Sequence, residues 1–472
     1  MIMKGPENSP THWVDYYASI ELAVSDDENF GKLSTIVIDA IPKSAAKALK
    51  SLKFDGPTED LDNVLPIFML TANLNPQQAK KLADDSSWIE LSIGTENVGG
   101  DDVFEATSIS LGDDEDGGRR TFWVKVKSTS VAKRTLCGLA TLAEFASIAD
   151  AGDADLQLFD AAQDLCGVAI YDVGQANLTA LVDSYEHPVV FFDLGWPLSF
   201  NKKSYRLPGP FDPLTPALRP SDPQPVILSH LDWDHWGYAY LSGQARYDSQ
   251  RGYWRSVVTY KDDVLRRPWL MRRPRFHRHK LGPSHIHFVM TLANTILSDG
   301  NCALKFWPAR SGRKDFTHYS IVRCSSTSGS VSSPAYLRNN ESLVLLAKRE
   351  DRPEKVLLTG DADYPSIHVS HRRKLTGIVA PHHGGNITEF STPQALFGGR
   401  MVRSTYPECY NNVPSDDAEM EALLSGWQIH STNDRFSCHA GCNAHGNKLI
   451  ALDVRTPYCS CGGVPEAGLC LR

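Results

Sequence analysis

Between Trp13 and about Asp160 the chain alternates two kinds of hydrophobic pattern. The runs "STIVIDAI" (34–41), "WIELSIG" (88–94) and "TFWVKVK" (121–127) are short, rich in β-branched and aromatic residues, and alternate apolar with polar over much of their length, which predicts strands. The stretches "PKSAAKALKSL" (42–52) and "NPQQAKKLADD" (75–85) repeat apolar positions at three and four, which predicts helices. Residues 1–160 are therefore expected to form a separate α/β or α+β N-terminal domain, with the Gly/Asp-rich "DAGDAD" (150–155) at its boundary.

From about Val168 the pattern changes to short apolar strands, each ending in a polar or glycine-rich turn: "GVAIYDVGQANLTALV", "VVFFDLGWP", "PVILSHLDWDH", "ESLVLLAK", "KVLLTGDAD" and "GIVAPHHGG". Residues 161–430 are read as a second domain of α/β class, followed by a Cys/His-rich tail over 431–472. The polar clusters of this second domain follow strands. A strand end is a rigid mount, and the loops that leave neighbouring strands converge at one edge of a sheet.

"SHLDWDHWG" (229–237) sets His230, Asp232, Asp234 and His235 within six positions. A divalent cation that activates water needs several imidazole or carboxylate ligands with one position left open. In extended chain His230, Asp232 and Asp234 project from one side, and a turn at the aspartate brings His235 round to a second ion. Taken alone, the stretch also reads as a loop whose side chains cap turns. Asp361 after "VLLTG", and His382 with His383 after "IVAP", place two more clusters at strand ends, and a convergent metal site becomes the stronger reading.

The pieces "YDVGQANLTAL", "FFDLGWP", "SHLDWDHWG", "NNESLVLL", "VLLTGDAD", "APHHGG" and "STYPECYNNVPSDDAEMEALLSGWQIHSTN" follow one another over about residues 168–433. Together they resemble the metallo-β-lactamase-fold hydrolases, most closely the branch found in DNA-uptake competence proteins. The resemblance implies an αββα sandwich with an active site along one edge of its paired sheets. It implies His230 and Asp232 on one metal, Asp234, His235 and His382 on the other, and Asp361 bridging them. Asp193 and Gly195 would support the metal loop, and Asp172 and Gln175 would lie on a structural turn. Asp234 would also position the attacking water, while His383 has two readings, proton donor to the leaving group or support for its neighbour. Two positions depart from the family's commonest pattern. Asp232 stands where a histidine is usual, and no histidine occurs between His318 and His368, leaving Asn340 or Ser342 in the gap. The expected cofactor is a divalent metal, Zn or Mn, as one or two ions, with the extra carboxylate favouring the harder ion.

Composition adds limits. Hydrophobic residues at 42% and charged residues at 22% are those of a soluble globular chain. No apolar run approaches the roughly 18 residues that cross a bilayer. No membrane partner is therefore expected, and the opening "MIMKGPENSP" has no secretory pattern, so the expected compartment is cytoplasmic. A net charge of −8 disfavours indiscriminate nucleic-acid binding but leaves room for a local basic patch. "RRPWLMRRPRFHRHK" (266–280) is such a patch; Arg272 and Arg273 are the candidates for contact with an anionic substrate, and a solvated face or an internal brace is the other reading. Cys438, Cys442, Cys459 and Cys461 form a candidate structural zinc site, with reduced thiols or a disulfide as alternatives. The expected function is a metal-dependent hydrolase, a phosphodiesterase or nuclease acting on nucleic acid or a nucleotide. Hydrolysis of a lactone, thioester or β-lactam by the same fold, and a metal-poor protein-binding domain, are the alternatives. A protein partner is expected to engage the N-terminal domain.

Overall fold

The computed structural model describes residues 13–23, 34–51, 60–83, 87–100, 102–109, 119–160, 165–197, 223–326, 333–349, 353–405, 413–434 and 446–452. Cys438, Cys442, Cys459 and Cys461 lie outside the described residues. Among the described residues no helix is long and apolar enough to cross a membrane. The chain is mixed α/β and divides into two compact units, one of Met1–Phe145, Tyr240–Tyr260 and Arg275–Thr291, the other of Ala146–Ala239, Lys261–Pro274 and Leu292–Arg472.

The first unit is built on six antiparallel strands: β1 (Val14–Ala23), β2 (Ser34–Pro42), β3 (Phe68–Leu74), β4 (Ile89–Gly94), β5 (Val103–Ser108) and β6 (Thr121–Ser128). They close into a barrel in the order β1-β2-β3-β5-β6-β4, which leaves no strand edge unpaired. The period of two decides which side chains fill it: Tyr16, Ala18 and Ile20 from β1, Ile36, Ile38 and Ala40 from β2, and Ile89, Leu91 and Ile93 from β4 share one core. The expected helices form as Lys43–Ala48 and Pro76–Leu82, the latter started by the Asn75 side chain, which accepts from Gln78 N at 2.9 Å.

Two later segments complete this unit. Trp254 of the hairpin β11 (Tyr240–Asp248) and β12 (Tyr253–Tyr260) enters the barrel core, its ring centroid 5.2 Å from that of Phe122, and Tyr16 Oη donates to its carbonyl at 2.9 Å. Helix Pro283–Asn294 begins against Asp39 of β2, which accepts from Ser284 N at 3.1 Å; a Cβ on Gly282 would stand 1.9 Å from that carboxylate.

The second unit holds two seven-stranded sheets. The first consists of β7 (Leu165–Ile170), β8 (Leu178–Asp183), β9 (Pro188–Leu194), β10 (Val226–Leu228), β13 (Trp269–Met271), β14 (Leu304–Phe306) and β22 (Lys448–Ala451), in the order β14-β13-β10-β9-β8-β7-β22. The second runs in chain order from β15 (Arg313–Asp315) through β16 (Tyr319–Arg323), β17 (Leu343–Lys348), β18 (Lys355–Leu358), β19 (Leu375–Val379) and β20 (Ala395–Arg403) to β21 (Gln428–Ser431). Val168, Leu181, Phe192, Ile227 and Leu270 of the first sheet share a buried cluster with Ile321, Leu345, Val356, Leu358 and Val379 of the second. On the other face of the second sheet, Leu346, Leu357 and Ile378 pack with Trp427 and with Ala422 of helix Asp416–Leu424. Each central strand of the second sheet is therefore apolar on both faces, which is why "LVLL" and "KVLL" read as nearly continuous hydrophobic runs.

Candidate metal centre

The loop after β10 carries the first cluster. Parallel pairing sets Val226 opposite Phe191 and Ile227 opposite Phe192, which brings Ser229 beside Asp193. Ser229 donates to Asp193 through its backbone N (2.7 Å) and its Oγ (2.8 Å), and the same carboxylate accepts from His235 Nδ1 at 2.8 Å. Asp193 adopts φ 64°, a left-handed conformation that costs a non-glycine residue about 1 kcal/mol or more. Its three hydrogen bonds hold it there. The turn is locked from below by Asn177 N donating to Asp234 O (2.9 Å) and Gly195 N donating to Asn177 O (2.7 Å).

Gly360, at φ 54°, and Asp361 follow the end of β18. The Asp361 carboxylate lies 3.2 Å from His235 Nε2, 3.4 Å from His382 Nδ1 and 4.0 Å from His230 Nε2, and accepts from Asn177 Nδ2 at 3.3 Å. Burial opposes its charge, but the neighbouring His235 and His382 outweigh burial and hold the carboxyl well below the usual carboxylate range. His235 is the mirror case: burial disfavours the imidazolium, while Asp361, Asp193 and Asp234 raise its proton affinity well above the ordinary value. The buried carboxylate and imidazoles of the cluster thus stabilise one another's charged forms.

After β19 come two consecutive left-handed histidines, His382 (φ 50°) and His383 (φ 56°). Two adjacent non-glycine residues in this region cost about 1–3 kcal/mol each, so the surroundings must over-determine them. His383 Nδ1 donates to Ser404 O at 2.7 Å, and its Nε2 lies 2.8 Å from Asp234 Oδ2.

The donor atoms fall into two groups, His230 with His235 and Asp361, and Asp234 with His235 and His383, each set within 4.8 Å of one another. The second group fits a divalent cation by the chemistry of its donors. Nδ1 of His383 and of His235 donates to Ser404 O and to Asp193, which leaves both Nε2 atoms facing the Asp234 carboxylate as the nitrogens open to a cation. The two adjacent histidines therefore stand in exchanged places relative to the resemblance: His383 joins Asp234 and His235, and His382 lies against Asp361 with its side chain 29% exposed. His383→Ala is expected to weaken binding of Mn²⁺ or Zn²⁺ by about a hundredfold. His382→Ala is expected to leave it within a few-fold, and calorimetric titration of both variants compares them; equal losses would remove the distinction.

Asp232 is brought to the cluster, with Oδ2 3.2 Å from His230 Nε2, but its Oδ1 is ion-paired to Arg338 Nε, on helix Pro334–Asn340. Asn340 is turned to the backbone: its Oδ1 accepts from Asp363 N at 2.9 Å and its Nδ2 donates to Tyr336 O at 3.0 Å. Ser342 is buried. Arg272 Nη1 donates to the carbonyls of Cys324 and Glu341, and Arg273 Nη2 donates to Ile148 O (2.7 Å) and Asp150 Oδ1 (3.0 Å) while its guanidinium stacks 4.2 Å above Phe306. The structure places both arginines as internal braces rather than as a phosphate clamp, because carbonyls left open at loop and helix ends are the acceptors within their reach. Asp172 accepts from Gly446 N at 3.1 Å, a structural contact, and Gln175 is buried.

Asn177, Arg338 and the Ser404 carbonyl belong to the centre, and the pattern of chemistry-bearing residues did not single them out. Asn177 lies in "VGQANLTAL", one residue before β8, and only the structure shows its amide to be buried there. Arg338 lies in "LRNNESLVLL", two residues before Asn340. No protein-family model matches the chain, and no curated protein matches it.

Proposed function

We propose that this protein is a metal-dependent hydrolase whose substrate is a phosphodiester of nucleic acid or a nucleotide. The observation that carries the reading is the convergence of Asp234, His235 and His383, with Asp361 beside them, from three separate strand ends. Two sheets sharing one core, with helix Asp416–Leu424 against an outer face, agree with the αββα sandwich that the resemblance implies. The preference for a phosphodiester over a neutral lactone or thioester rests on the resemblance to the competence-protein branch, since the Arg338 charge beside the cluster is already paired with Asp232.

When bound by Asp234, His235 and His383, Zn²⁺ or Mn²⁺ supplies Lewis acidity, which lowers the pKa of water and stabilises charge developing on a substrate oxygen. The chain's own groups do the rest. Asp193 and the Ser404 carbonyl keep the two ligand imidazoles in one tautomer and one orientation. Asp234 reaches solvent with 33% of its side chain exposed, and its carboxylate orients the incoming water. His382 is the proton donor to the leaving oxygen: burial opposes its charge, but the adjacent Asp361 raises its proton affinity above that of ordinary imidazole, and its ring is the more exposed of the pair.

The test is cleavage of single-stranded DNA, RNA and a generic phosphodiester by the full chain, with and without added Mn²⁺ or Zn²⁺, beside a lactone and a β-lactam. Metal-dependent turnover confined to the phosphodiesters is the expected result. Turnover confined to the lactone or the β-lactam would transfer the reading to the ester and amide hydrolases of the fold. A folded chain that binds neither metal and cleaves nothing would leave the protein-binding domain.

A further inference from the structure

Both donor groups of the centre draw on the same histidine. His235 Nδ1 is committed to Asp193 at 2.8 Å, so Nε2 is its one lone pair, and that nitrogen faces Asp361 at 3.2 Å and Asp234 at 3.8 Å. One imidazole nitrogen coordinates one cation. The groups are therefore alternatives rather than partners, and a second ion would have to be held by His230, Asp361 and Asp232 without His235. Asp232 is the residue that decides this. Its Oδ2 is 3.2 Å from His230 Nε2, while its Oδ1 is ion-paired to the Arg338 guanidinium, which is 8% exposed and fixed on helix Pro334–Asn340. The helix is itself anchored, since Asn340 binds Asp363 N and Arg272 donates to the carbonyl of its terminal Glu341.

From this geometry we propose that the centre loads a single divalent ion, and that Arg338 is a built-in second cation that occupies Asp232 and repels a metal from the His230 side. A guanidinium is charged at every working pH, cannot dissociate from the chain, and presents several donors in a plane. It therefore supplies permanently, against Asp232, the positive charge that a second ion would supply there on loading. The proposal rests on the metal-dependent reading above.

The test is the Mn²⁺ stoichiometry of the full-length chain, by elemental analysis after gel filtration and by calorimetric titration, for wild type, Arg338→Ala, Arg338→Met and Arg338→Lys. Wild type and Arg338→Lys are expected to bind about one ion per chain, and Arg338→Ala and Arg338→Met about two, as Asp232 is released to join His230 and Asp361. The methionine variant keeps the volume of the side-chain stem in case alanine disturbs packing. Two ions on wild type would overturn the proposal and leave the metal-dependent reading intact. One ion on both folded charge-removed variants would overturn the role of Arg338. No ion on any of the four would take down the metal-dependent reading itself.

Discussion

Asp234→Ala is expected to lower kcat/KM for a phosphodiester by about a thousandfold or more while leaving the fold in place. The asymmetry follows from where the residue's two functions sit. Its carbonyl is structural, accepting from Asn177 N at 2.9 Å, and alanine retains it. Its carboxylate, the proposed metal ligand, lies 2.8 Å from His383 Nε2 and 3.8 Å from His235 Nε2, and alanine removes it. Because a third of the side chain is exposed, truncation opens no buried cavity, and the thermal midpoint should move by only a few degrees. Metal content measured on the same preparations should fall with activity. Turnover equal to wild type in a folded variant would remove Asp234 from the centre.

Gly195→Ala is expected to do the reverse, destabilising the second unit through one methyl group. A Cβ there would stand 1.9 Å from Asp234 O, 2.5 Å from Asn177 O and 2.8 Å from Asn177 N. All three are backbone atoms, so no side-chain rotation relieves the clash. Relief requires opening the bonds from Asn177 N to Asp234 O and from Gly195 N to Asn177 O, and these hold the loop after β10 against the start of β8. The expected cost is about 3 kcal/mol, read as a lower midpoint in thermal or denaturant unfolding, with weaker metal binding as the loop shifts. Gly312→Ala is the control, since nothing lies within 4 Å of its Cβ position. A Gly195→Ala protein that melts with wild type would show that the loop and β9 are not in this close contact.

Much of the strand content was legible because it is written locally. Alternation at Tyr16, Ala18 and Ile20, or at Ile89, Leu91 and Ile93, reports a half-buried strand without reference to any partner. The polar clusters at 230–235, 361 and 382–383 were legible for the same reason, each being a break from an apolar run into residues that bind metals. What periodicity could not convey is pairing. Barrel closure joins β1 to β4 with two strands between them in the chain, and a hairpin more than a hundred residues later completes its core.

The same division holds at the candidate site. The sequence by itself determined which residue types stand at the strand ends and that several could serve one cation. Only the tertiary structure decided which histidine of the adjacent pair faces Asp234, that one His235 nitrogen is shared between two donor groups, and that Asp232 is held by an arginine 106 positions away. It also turned Arg272 and Arg273 inward. The physical reason is that ligand chemistry belongs to a residue, whereas the direction of a lone pair is set by the hydrogen bond on the far side of the ring. Asp193 and the Ser404 carbonyl make those bonds, and their positions follow from sheet register rather than from any local pattern.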